Sequence, residues 1–231
     1  MTTLRFSIFC FIILTALHQT DALAQFNYPE APPNATILFD GTDFSHWTNC
    51  DDGEVNWEIK NGVMQVVPDT IYSCEKIQGI KTQKNYQDFQ LHVEFRLLEP
   101  KSNSGIYIHR RYELQIDNTF NEADNQYMGG SIYRQKLPDV NVGKPQGEWQ
   151  SYDIVFRGPR YSTSELVSRK VEDARITVIH NGVVIHNNVI VHDKTGVGYP
   201  ENAEPGPIML QDHGSLVQFR NLWIVANEQK N

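Results

Sequence analysis

Residues 112–117 read Tyr-Glu-Leu-Gln-Ile-Asp. Along a strand, successive side chains point to opposite faces. Glu113, Gln115 and Asp117 therefore share one face, and Tyr112, Leu114 and Ile116 share the other. The apolar face suits a core. The polar face sets two carboxylates on either side of a carboxamide, although acids close together on one face repel. Paired carboxylates are the usual equipment for proton transfer on sugars. The competing reading is the solvated face of a half-exposed strand, so the neighbouring segments decide.

The same parity applies to three other segments. Leu91, Val93, Phe95 and Leu97 take the core side, leaving His92, Glu94 and Arg96 outside. Ile106 and Ile108 point inward, so Tyr107 and His109 are expected outward. Leu210 points inward, so Gln211 and His213 are expected outward. If these strands lie in one sheet, they build one polar surface. Its carboxylates and amides would bind hydroxyl pairs, Arg96 would anchor oxygens, and Tyr107 could stack on a sugar ring. His213 stands just before a turn and has the side-chain type whose ordinary pKa, near 6.5, suits a proton shuttle. His180, His186 and His192 read as strand-end or loop residues. They would form a metal site only if folded together. The four tryptophans default to core packing.

These strands belong to a chain of short alternating runs separated by Gly, Asn, Asp and Pro. Asn61-Gly62 and Asn181-Gly182 each sit between two such runs, the strongest local signal for a tight hairpin. No segment keeps a helical period over ten residues. The pattern predicts an all-β fold, a two-sheet antiparallel β-sandwich. Two long irregular stretches, 118–147 and 192–207, interrupt it, and loops of that length in a compact domain usually carry function.

The N-terminus reads as a secretory signal: Arg5, an apolar run from Phe6 to Leu17, then Ala22-Leu23-Ala24. The run is shorter than the ~20 residues of a membrane span, and no other stretch could cross a bilayer. The expected organisation is a signal peptide over 1–24, an extended leader over 25–36 with Pro29, Pro32 and Pro33, and one catalytic domain over 37–227. The expected location is periplasmic or secreted. The net charge is −8, and Arg5 and Asp21 of the signal cancel, so the mature chain is equally acidic. That excludes nucleic acid as a natural partner, because phosphate binding wants a basic patch. After cleavage two cysteines remain, Cys50 and Cys74, and an even pair in an exported chain implies one disulfide. Their spacing argues against a structural zinc site.

Several motifs in fixed order resemble one family. Leu38-Phe39-Asp40-Gly41 with Trp47 is similar to the opening of the 3-keto-disaccharide hydrolase domain family (DUF1080). Trp57 to Gly62, Phe89 to Arg96, Asn103 to Tyr107 and Tyr112 to Asp117 resemble its next segments. Gly147-Glu148-Trp149, Asn181-Gly182, Leu210 to Gly214 and Phe219-Arg220-Asn221 resemble its second half. The likeness runs from about Ile37 to Val225. One departure is the long stretch that follows Asp117 directly.

The resemblance implies a concanavalin A-like jelly roll that acts on glycosides oxidised at C3. A ketone at C3 acidifies the C2 proton, so a modest base can remove it. Elimination of the C1 substituent and addition of water then cleave the glycoside. Under this reading Glu113 or His213 is the base, and Asp117 orients it or handles the leaving group. Gln115, Gln211, Arg96, His109 and Tyr107 hold hydroxyls or the carbonyl. No cofactor is required, and a divalent metal polarising the ketone stays open, since no ligand set stands out in the sequence. The expected partner is a carbohydrate, an oxidised disaccharide or glucoside. Two rivals remain on the same fold. An ordinary glycosidase needs its carboxylates about 5 Å apart to retain, or somewhat further to invert. Glu113 and Asp117, four residues apart on one strand, would be roughly 13 Å apart. A lectin-like module would bind sugar without needing so many titratable groups.

Overall fold

The computed structural model describes residues 30–69, 74–122, 127–163 and 168–227. The expected signal peptide, 1–24, lies outside the described residues, as do residues 25–29 of the expected leader. Among the described residues there is no helix. The strands are β1 (Thr36–Phe39), β2 (Trp47–Asn49), β3 (Glu58–Lys60), β4 (Val63–Gln65), β5 (Gly79–Thr82), β6 (Asp88–Leu97), β7 (Asn103–Ile108) and β8 (Tyr112–Asp117). They continue as β9 (Gln150–Arg157), β10 (Arg160–Thr163), β11 (Ser168–Glu172), β12 (Ala174–His180), β13 (Val183–Val191), β14 (Ile208–Gln211) and β15 (Val217–Ala226).

Two sheets result. The larger runs β13-β12-β9-β6-β15-β4-β3, with β1 also paired to β15. The smaller runs β2-β5-β14-β7-β8, and β10 and β11 make a separate ribbon. Every pairing in the two sheets is antiparallel. This is the expected two-sheet jelly-roll sandwich. The Asn-Gly hairpins form as read. Asn61 and Gly62 have φ of 54° and 73°, and Asn181 and Gly182 have 51° and 82°. A type I′ turn needs two such left-handed residues, which Asn-Gly supplies at little cost.

Alternation builds the core. Leu91, Val93, Phe95 and Leu97 of β6 meet Ile106, Ile108, Leu114, Ile116, Ile208 and Leu210 of the smaller sheet in one buried cluster. Full burial of each large side chain contributes about 1.5–3 kcal/mol. The other residues of β7, β8 and β14 must then face away from the core. Among these, Tyr107 and Met209 join Cys50 and Ile77 in a second small apolar cluster, with Cys74 and Tyr199 packed against it.

Cys50 and Cys74 form the expected disulfide, with Cα atoms 6.0 Å apart. It closes a loop with a sequence separation of 24. Chain-entropy arguments for such a loop give about 3 kcal/mol. The double variant Cys50→Ser/Cys74→Ser should lose about that much stability in urea melts. A loss below about 0.5 kcal/mol would show that the bridge does not constrain the unfolded chain.

The fold corrects two expectations. β6 lies in the larger sheet, whereas β7, β8 and β14 lie in the smaller one. Parity fixes which face of its own sheet a residue takes, but not which sheet the strand joins. Arg96, with His92 and Glu94, therefore stands on the outer face of the opposite sheet. His109 is the second correction. β7 ends at Ile108, and His109 and Arg110 take φ of 56° and 57° in a turn closed by Arg111 N–H donating to Ile108 O at 2.9 Å. Alternation does not carry through that turn. His109 is buried edge-on against Phe156, with ring centroids 5.0 Å apart.

Candidate active site

The register of three strands builds the polar floor. Tyr107 on β7 lies opposite Glu113 on β8, and Gly105 lies opposite Gln115. On the other side, β14 pairs Met209 with Tyr107, which sets Gln211 near Gly105. Glu113, Gln115, Tyr107, Gln211 and His213, with Asn103, line one cavity of about 490 Å³. The sequence reading named all of these but Asn103. Asn103 shares parity with Gly105 and Tyr107, so the same rule would have found it.

Glu113 is the most perturbed acid of the floor. The Tyr107 hydroxyl donates to Glu113 Oε2 at 2.7 Å. Burial pushes the carboxyl up to about 7, and that hydrogen bond works against the rise. Gly105 makes room for it: a Cβ there would sit 2.8 Å from Glu113 Oε1 and 3.1 Å from Glu113 Cγ. Glu113 is thus a buried carboxyl held from one side by a phenol, with a pKa suited to proton transfer near neutrality.

Two carboxamides flank it. Gln115 Nε2 donates to Asn103 Oδ1 at 3.1 Å. The Oε1 atoms of Gln115 and Gln211 are buried and have no hydrogen-bond partner among the described residues. A buried amide oxygen without a partner costs about 1–3 kcal/mol. Both line the cavity, where a ligand hydroxyl could satisfy them.

Asp117 closes β8 and is half-buried. Burial raises its carboxyl, while the Asn118 N–H and the Gln115 carboxamide lower it. Asp117 is not among the residues lining the cavity of Glu113. The β7–β8 register is unbroken from Asn103 to Ile108, so β8 carries no bulge there. Glu113 and Asp117 are therefore about 13 Å apart along the strand. His213 stands past the end of β14, exposed at the rim.

The two long irregular stretches supply the walls. Tyr127, Tyr133 and Arg134 come from the first, and Gly196 and Val197 from the second. Both are tied to β8. Tyr133 N–H donates to Glu113 O at 3.0 Å, and Glu113 N–H donates to Thr195 Oγ1 at 2.7 Å. The second stretch is also anchored by Thr195 N–H on Arg111 O at 2.8 Å and Tyr199 N–H on Arg110 O at 2.9 Å. Arg134 is exposed, with its guanidinium 5.2 Å from the Tyr133 ring centroid and 5.9 Å from that of Tyr127. It is the cation at the mouth of the cavity. Within an irregular stretch parity has no meaning, so no pattern singled out Tyr127, Tyr133 or Arg134.

Arg96 and His109 are not brought to this cavity. Arg96 Nε donates to Gln218 Oε1 at 2.7 Å, and its guanidinium lies 4.8 Å from the Trp149 ring. Nearby, His92 stacks on Trp223 and contacts Asp153 Oδ1 at 2.6 Å. Burial opposes a charge on His92, but the Asp153 and Glu94 carboxylates overcome it and lift the imidazole to about 9. This is a structural polar network on the far sheet. His109 is held neutral, its pKa lowered to about 4 by burial and by Arg111. His180, His186 and His192 go to separate partners: Gln150, Gly130 and Asp173. Among the described residues no three His, Cys, Asp or Glu side chains gather as a metal site.

A carboxyl with a pKa near 7, two buried amide oxygens without a partner and a rim histidine in one cavity fit a proton-transfer site for a hydroxylated ligand. The family model of the 3-keto-alpha-glucoside-1,2-lyase-like domain matches residues 34–225. The chain belongs to this family. Among solved structures, a candidate glycosyl hydrolase from Parabacteroides distasonis ATCC 8503 is 30% identical, with a TM-score of 0.71 over 89% of this chain and 95% of that one. Two more candidate glycosyl hydrolases of that organism share the fold. One is 21% identical with a TM-score of 0.62 over 84% of this chain and 94% of that one. The other is 23% identical with a TM-score of 0.56 over 82% and 98%. No curated protein matches the chain. Within this 3-keto-alpha-glucoside-1,2-lyase-like domain, the motif Tyr112 to Asp117 forms the strand that carries Glu113.

Proposed function

We propose that this carbohydrate-active domain cleaves the glycosidic bond of glycosides oxidised at C3, by elimination followed by hydration. The observation that carries the reading is the buried Glu113 carboxyl, raised to about 7 and hydrogen-bonded by Tyr107. Glu113 takes the proton from C2, and the electron pair is held as the enolate of the C3 ketone. The pair then forms the C1–C2 double bond as the C1–oxygen bond breaks and the ketone re-forms. His213 at the rim gives a proton to the leaving oxygen. Water adds to C1, C2 regains a proton, and the net change is glycoside plus water to the free 3-keto sugar, a hemiacetal at C1, and the alcohol of the leaving group.

The roles follow from chemistry. Arg134 meets the oxygen that gains charge at C3, since a fixed cation at a developing oxyanion lowers the barrier. Gln115 and Gln211 bind ring hydroxyls. Asp117 steadies the end of the floor through Gln115. The oxidation at C3 precedes this chemistry, so the route calls for no redox cofactor. The roughly 13 Å separation of Glu113 and Asp117 counts against direct two-carboxylate hydrolysis, which needs about 5–9.5 Å. The Cys50–Cys74 bridge supports an oxidising location, periplasmic or secreted. No helix among the described residues is long and apolar enough to cross a membrane.

The route has an isotopic signature. Turnover of a 3-keto-glucoside in D2O should put one deuterium at C2 of the released keto sugar at the first turnover. Direct displacement at C1 would leave C2 unlabelled beyond the enzyme-free control. The base also sets the pH dependence. Glu113 acts ionised, so its limb of the kcat/KM profile should rise with pH through about 7, and the proton that His213 must hold for the leaving oxygen gives the profile a falling limb on the alkaline side. In Tyr107→Phe the bond that holds the carboxyl down is lost. The rising limb should then move to higher pH by roughly 0.5 to 1 pH unit, the worth of one such hydrogen bond. A limb that stays in place would separate Glu113 from the profile.

A further inference from the structure

A second cavity, of about 420 Å³, adjoins the first. The two share Val197, Gln211 and His213. Its outer wall is the segment that the disulfide tethers, with Glu75, Lys76 and Gln78 following Cys74. The wall is fixed in place. The Gln78 carboxamide accepts from Cys74 N–H at 3.1 Å and donates to Cys74 O at 2.5 Å. Lys76 Nζ lies 4.9 Å from the Tyr199 ring centroid. The Asp212 carboxylate accepts the N–H groups of Asp69 at 2.6 Å and Gly214 at 2.8 Å, and its own N–H donates to Gln78 O of the wall at 3.0 Å. Gln211, with its buried Oε1 unpartnered, lines both cavities.

With the reacting ring over Glu113 and His213 as the proton donor to the leaving oxygen, the leaving half lies on the His213 side, where the two cavities join. The geometry points to the second cavity as the subsite for that leaving half, with Glu75 and Lys76 as the residues that select it. This rests on the function proposed above. Among the described residues three carboxylates, Asp69, Glu75 and Asp212, line it beside one lysine, Lys76. Such a surface favours a neutral, hydroxyl-rich leaving group, which carboxylates and amides bind in pairs of hydrogen bonds. It disfavours anionic leaving groups.

The test compares a 3-keto-disaccharide with methyl 3-keto-glucoside, which has no leaving ring. The readout is the ratio of their kcat/KM values. Glu75→Trp, which fills the cavity, should lower that ratio at least tenfold. Glu75→Ala, a smaller change on an exposed side chain, should lower it about threefold. Free glucose should inhibit the native chain, and its inhibition constant should rise at least tenfold in Glu75→Trp. If both substrates turn over and the ratio stays within twofold in Glu75→Trp, the subsite is overturned while the role of Glu113 stands. If the native chain cleaves neither substrate, the proposed function falls and the subsite with it.

Discussion

Replacing Glu113 by Gln should lower kcat on a 3-keto-glucoside by about 10²- to 10⁴-fold, the range for loss of a positioned general base. The amide keeps the size of the carboxyl and can still meet the Tyr107 hydroxyl, so the fold should survive. The stability change has a defined sign. The Glu113 carboxyl rises from 4.5 to about 7 on folding. Its contribution to stability is complete below about 4.5 and is lost as pH climbs through about 7. The loss is on the order of 3 kcal/mol once the group is ionised. At pH 8 the variant should therefore melt at or above the native temperature. A large drop in kcat with a lower Tm at pH 8 would point to structural damage. A kcat within threefold of native would remove Glu113 as the base.

Gly105→Ala should have the next largest effect. The residue lies beneath the carboxyl, and an added Cβ would approach Glu113 Oε1 at 2.8 Å and Gln211 Oε1 at 3.3 Å. The atoms met, which include Glu113 Cγ at 3.1 Å, all belong to side chains and none to backbone, so the strands can stay in place while the carboxyl is displaced. A shift of about 1 Å in a reacting group can cost about 10²-fold. We expect kcat to fall by about that factor, with Tm within a few degrees of native. Native turnover in Gly105→Ala would mean that the carboxyl position seen here is not the working one. A fold lost outright would mean that the backbone had to yield.

How far the sequence carried this picture depended on what alternation can encode. Strand parity set Glu113, Gln115, Tyr107 and Gln211 on a non-core face correctly, because their partners Leu114, Ile116, Ile106 and Leu210 had to be buried. The Asn-Gly turns were legible for the same local reason: few other residue pairs adopt two positive φ values cheaply. Arg96 was misplaced because sheet membership is a long-range property. The strand that carries it pairs with β9 and β15, far along the chain. His109 was misplaced because a turn of non-Gly residues in the left-handed region leaves little signature. Arg134 and Tyr133 were invisible as individuals, although the stretch that holds them stood out by its length. The perturbation of Glu113 was out of reach, since it arises from burial under two loops that meet only in the folded chain.

The most direct test of the central claim is to give the purified chain a 3-keto-glucoside and the matching unoxidised glucoside, and to follow products by mass spectrometry. Cleavage of the keto sugar alone is the predicted result. Cleavage of both at similar rates would contradict the proposal and mark an ordinary glycosidase. Binding of the keto sugar without cleavage would make Glu113 and the amides a sugar-binding surface.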